Sequence, residues 1–112
     1  MRNQSKIMKN KYLIVTMSDN SQWKIPAQYI AELRAKYYAI KDFEKDQSIP
    51  YFTIFQEEVE YALKNEDEII DWASNNMNWS DVKDIAWELP SKKKELDFED
   101  EWPNANKEIV EL

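Results

Sequence analysis

The chain has 112 residues, a length that accommodates one domain with a modest hydrophobic core. It contains neither cysteine nor histidine, which excludes disulfide frameworks, thiolate or imidazole metal sites, and catalysis by Ser–His or Cys–His groups. A net charge of −7 disfavours direct contact with nucleic-acid backbones or anionic lipid, and the absence of glycine excludes Gly-rich phosphate loops.

Residues 1–10 carry Arg2, Lys6 and Lys9 without an acid and read as a basic flexible arm. Lys11–Met17 is dense in β-branched and aromatic residues and predicts a strand. Gln22–Ile25 predicts a second strand, with Trp23 and Ile25 on one face, so the two form a β-hairpin. Ser18-Asp19-Asn20-Ser21 between them is turn chemistry, and without glycine Asn20 is the residue expected to take left-handed backbone.

Pro26 opens a helix expected from Ala27 to about Phe43, where its missing N–H costs nothing. Ile30, Leu33, Tyr37 and Ile40 recur at helical spacing and predict its buried stripe. After the polar Asp42–Pro50 link, Thr53 through Gln56 fits a capping box and predicts a second helix to Lys64, with Phe55, Val59, Ala62 and Leu63 inward. Asn65–Glu68 is a second cap signal for a third helix to about Asn76, with Ile69, Ile70, Trp72, Ala73 and Met77 on its apolar side. An asparagine within Asn75–Asn78 is expected to end it in place of glycine.

Ser80-Asp81-Val82 fits one short capped turn. Asp84–Leu89 then alternates, predicting a third strand with Ile85, Trp87 and Leu89 on one face; a helix across Ser80–Glu88 is the alternative, and Pro90 stops either. The expected fold is α+β over residues 11–90: an N-terminal β-hairpin, a long helix across it, two shorter acidic helices and a late third strand. Residues 91–112 read as an acidic, aromatic-containing tail, either solvated or docked. The expected core is Leu13, Val15, Trp23, Ile25, Ile30, Leu33, Tyr37, Ile40, Phe55, Val59, Ile69, Trp72, Ile85 and Trp87.

Chemistry is scarce in this composition. Without imidazole or thiol, what remains is carboxylate, lysine or oxygen-ligated metal chemistry. A cation site from Glu66, Asp67, Glu68 and Asp71 and a carboxylate hydrolase are the weaker alternatives; the leading expectation is no catalytic residue, no cofactor and no metal. No stretch is apolar enough to span a membrane, and Leu13-Ile14-Val15 is too short for a signal-peptide core, so a cytoplasmic protein is expected.

Two features point to binding. Glu57, Glu58, Glu60, Asp67, Glu68 and Asp71 make the second and third helices acidic, which serves either solubility or the recognition of a basic partner, such as a nucleic-acid-binding protein. Aromatic residues are 13% of the chain, more than so small a core absorbs, so Tyr38 and Trp79 are candidate interface anchors or contacts in a homodimer.

Trp23-Lys24-Ile25-Pro26, Ile30-Ala31 with Arg34 to Ala39, and Asp71 to Trp79 resemble small uncharacterised acidic proteins of bacteriophage genomes, the likeness covering residues 11–89. Those proteins carry no assigned activity. The resemblance implies a phage-encoded accessory protein that modulates a host protein from the host cytoplasm; the alternative, which rests on the surplus of aromatics, is a structural or virion-associated homo-oligomer.

Overall fold

A computed structural model describes residues 11–89 and 98–111. Strand β1 (Lys11–Thr16) turns back into β2 (Gln22–Pro26) with Tyr12 opposite Pro26 and Thr16 opposite Gln22. The turn closes through Met17 and Ser21, and Asn20 takes φ 69°, the left-handed backbone expected of it. Helix α1 (Ala27–Lys45) follows directly, with Pro26 as its N-cap residue. Helices α2 (Tyr51–Lys64) and α3 (Glu66–Asn76) are separated by Asn65 alone. A single-turn helix α4 (Trp79–Val82) leads to β3 (Trp87–Leu89); α5 (Phe98–Glu101) and a 3-10 turn (Trp102–Asn104) lead to β4 (Asn106–Glu111). The protein is an α+β fold built on a four-stranded antiparallel sheet of order β3-β2-β1-β4.

Leu13 and Val15 of β1 and Ile25 of β2 project from one face of the sheet. They pack with Ile30, Ala31 and Ala35 of α1, Val59 and Ala62 of α2, and Ile69 and Ala73 of α3. The layers are thus helices on one face of a sheet, a common solution for burying one apolar side of each element.

Several expectations are corrected. Helix α1 buries Ala27, Ile30, Ala31, Arg34, Ala35 and Ala39, whereas Tyr37 and Ile40 are exposed. The reason is close approach: α1 packs chiefly along α2, and alanines at the contact let the two backbones draw together where larger side chains would hold them apart. Helix α2 begins at Tyr51, immediately after Pro50, and the Ile54 N–H donates to the Pro50 carbonyl at 3.2 Å, so Thr53 lies inside the helix. The Asn65 side chain turns backwards, donating to the Tyr61 carbonyl at 2.7 Å, and closes α2 instead of opening α3. No asparagine takes a left-handed cap after α3: Met77 is extended and buried, drawn into the core.

The third strand is present but shorter, and its apolar residues face the wrong way for a core. Trp87 pairs opposite Lys24 and Glu88 opposite Trp23, so the inner face receives Glu88 while Trp87 is 65% exposed; Ile85, ahead of the strand, is exposed as well. Of the two readings of 91–112, solvated or docked, residues 98–111 take the docked one and form part of the domain. Strand β4 pairs along the whole of β1, from Lys11 opposite Glu111 to Thr16 opposite Asn106. Trp102 is wholly buried, and its indole N–H donates to the Ala73 carbonyl at 2.8 Å. The basic arm expected at 1–10 and the start of the tail at 91–97 lie outside the described residues.

Candidate interaction surface

The acids singled out in the sequence divide into two groups. Arg34 of α1 is nearly buried, and its guanidinium reaches Glu58 of α2 at 2.9 Å and Glu68 of α3 at 3.3 Å. Those two carboxylates therefore neutralise an internal cation and join three helices, a role a buried charge requires of its surroundings. Glu57, Glu60 and Asp67 are exposed and make no ion pair among the described residues. Asp71 is exposed and accepts a hydrogen bond from the Asn75 side chain at 2.8 Å.

Arg34 escaped the sequence reading because an arginine in an amphipathic helix ordinarily marks the wet side. The available signal was its place between Ala31 and Ala35 and four residues after Ile30, on the stripe of small residues that proves to be the contact face.

The aromatic anchors also divide. Trp79 is 8% exposed and belongs to the core, with its ring 5.1 Å from Trp23, 5.1 Å from Phe98 and 6.2 Å from Trp102. The capping box of Asn78 and Asp81 fixes α4 so that Trp79 turns inward, which removes it from any surface role. Tyr38 is exposed, and it has company the sequence reading did not assemble. The Tyr37 and Tyr38 rings stand 5.2 Å apart and lie 5.4 and 5.8 Å from the half-buried Trp72 of α3. The Arg34 guanidinium lies 4.7 Å from the Tyr38 ring centroid and 5.3 Å from that of Tyr61 on α2.

The result is an aromatic surface of Tyr37, Tyr38, Tyr61 and Trp72 spread over three helices, held from beneath by Arg34. Glu57 sits one helical turn before Tyr61, and Glu68 one turn before Trp72, so carboxylates border the rings. Lys41 lies at its margin: the ammonium donates to the Tyr37 hydroxyl at 3.1 Å, a bond that raises its pKa above the ordinary lysine value.

The cation site weighed at Glu66, Asp67, Glu68 and Asp71 is not assembled. Glu66 pairs with Lys11 at 3.1 Å and Glu68 with Arg34, and among the described residues no three acids are grouped to hold a metal ion. No described helix is long and apolar enough to cross a membrane. Compared with protein-family models, curated proteins and solved structures, the chain matches none.

Proposed function

We propose that this chain is a non-enzymatic binding protein whose three-helix face engages a basic protein partner. The observation that carries the reading is the exposure of Tyr37, Tyr38 and Tyr61 near Trp72, on helices whose exposed carboxylates Glu57, Glu60, Asp67 and Asp71 make no ion pair among the described residues. Tyrosine and tryptophan supply contact area at small entropic cost, and unbalanced acids steer a positively charged surface into register. Carboxylates on successive helical turns lie at spacings comparable to phosphates. The partner class this favours is a nucleic-acid-binding protein, occupied at its basic groove.

The resemblance of residues 11–89 to small bacteriophage proteins supports a host protein as that partner and an accessory, modulating role in the host cytoplasm. The scarcity of chemically reactive side chains supports the absence of turnover: no imidazole, no thiol and no glycine loop is available in the sequence. The test is affinity capture from bacterial lysate with the parent, an E57K/E60K/D67K variant and a Y37A/Y61A variant, at low and at high salt. Captured proteins should fall away as salt screens the attraction and should be lost with either variant. If both variants retain the same proteins as the parent at every salt concentration, the surface is not the binding site.

A further inference from the structure

The sheet has a second face. Ile14 is only 8% exposed yet stands outside the core cluster that Leu13 and Val15 join, because alternate residues of a strand point to opposite sides. The strand registers place one cross-strand row on this outer face: Trp87 of β3, Lys24 of β2, Ile14 of β1 and Glu108 of β4. Pro26, Tyr12 and Val110 form the neighbouring row. The core cluster to which α1, α2 and α3 contribute lies on the inner face, with Leu13, Val15 and Ile25.

Charge on the outer face is arranged about Ile14. Lys24 stands one strand to one side and Glu108 one strand to the other, each about 4.8 Å away across the ladder. Lys24 is held in place, its ammonium 4.6 Å from the Tyr12 ring centroid and 4.8 Å from that of Trp87. Glu108 is exposed and makes no ion pair among the described residues.

Such a row is complementary to itself. A two-fold axis parallel to β1, midway between two facing sheets, sets Ile14 on Ile14 and brings each lysine opposite a glutamate of the other copy. An axis perpendicular to the strands would oppose lysine to lysine, so the charges select one arrangement. In the favoured arrangement Trp87, one strand beyond Lys24, overhangs the other copy's β4, the outermost strand among the described residues. That position would cover an exposed indole.

We propose that the outer sheet face is a self-association surface, on which a second copy of this chain docks with Lys24 of each copy opposite Glu108 of the other. Strands of six, five, three and six residues, at roughly 3.3 Å per residue and about 4.8 Å apart, cover on the order of 300 Å² per copy before side-chain relief. That is below the roughly 800 Å² per partner of tight complexes, so a weak dimer with a dissociation constant of tens of micromolar is expected. The surface is independent of the three-helix face, and its failure would leave the partner-binding proposal untouched.

Sedimentation equilibrium of the full chain from about 5 to 500 µM reads the association directly. The parent should dimerise; K24E and E108K should each weaken dimerisation at least tenfold, and the double variant K24E/E108K should return to within about threefold of the parent. Because the chain has no cysteine, a mixture of K24C and E108C copies should be joined by a short bis-maleimide linker, which spans the roughly 10 Å between facing sheets where a direct disulfide would not, while neither variant alone should be joined. The cross-linking experiment stands even where a charge-reversed chain does not fold. A parent that stays monomeric throughout, including one whose own residues occupy the face, overturns the proposal. So does a double variant as weak as the singles, or a K24C/E108C mixture that does not cross-link.

Discussion

Arg34 shows how one side chain can set the character of a surface. Its guanidinium consumes two of the carboxylates that would otherwise add to the negative field, and it supports the tyrosine rings from below. Replacing it by methionine keeps the length of the stem and leaves Glu58 and Glu68 facing each other without a cation. R34M should cost about 2 to 3 kcal/mol, at the low end for breaking a buried pair because both acids retain access to water. Urea unfolding measures it, and an unchanged midpoint would mean that the three-helix junction does not depend on the ion pairs. Lys107 is a half-buried cation, lying over the Trp102 ring and donating to the Trp102 and Ala105 carbonyls. Burial pushes its ammonium down to about 8 from the ordinary 10.5. The unfolded chain therefore binds the extra proton between those values, and this group's contribution to stability rises as pH increases from 8 towards 10.5. Below pH 8 the full cost of the buried charge is present. The parent should gain stability relative to K107M between pH 7.5 and 10, compared by denaturation midpoints; parallel pH profiles would count against the shift.

At the level of elements, the hairpin and the existence of the three longer helices were legible because each is a local matter. β-branched runs, a four-residue turn lacking glycine, prolines ahead of α1 and α2 and apolar spacing all act within a few residues. Which side of α1 faces inward was not legible. Of the predicted stripe, Ile30 is buried and Leu33 packs against the core, whereas Tyr37 and Ile40 are exposed and alanines take their place; the choice depended on how closely α2 approaches. The last strand was missed for a different reason. Asn106–Glu111 alternates only weakly and follows a run of acids, so nothing local distinguishes it from a solvated end, yet it lies beside β1 over all six residues. Trp102 was the signal available: a tryptophan flanked by Glu101 and Pro103 needs shelter, and it finds it against Ala73. A chain ending at residue 97 would leave β1 as an unpaired edge and open the cluster of Trp23, Trp79 and Trp102. It should lose cooperative unfolding and its near-ultraviolet circular dichroism. A truncated chain that unfolds as sharply as the parent would show that residues 98–112 are an appendage.

Taken whole, the molecule has two layers and two outward surfaces: aromatic and acidic on the helical side, mixed and self-complementary on the sheet side. If two sheets met face to face, the helical layers would point away from each other, and both acidic faces would stay open to partners. The candidate site was legible only as an inventory. Acid density along α2 and α3 and a surplus of rings could be counted, but Glu58 and Glu68 turned inward to Arg34, Trp79 became core, and Tyr37 and Tyr61 joined Tyr38 in its place. The α+β class, the left-handed Asn20 and the missing imidazole and thiol chemistry all followed from residue identity and short-range spacing, which act whatever the rest of the chain does. The facing of α1, the burial of Arg34 and Trp102, the placement of β4 and the row from Trp87 to Glu108 were settled by contacts between segments far apart in the chain. Such contacts depend on volumes and approach distances that no local pattern encodes.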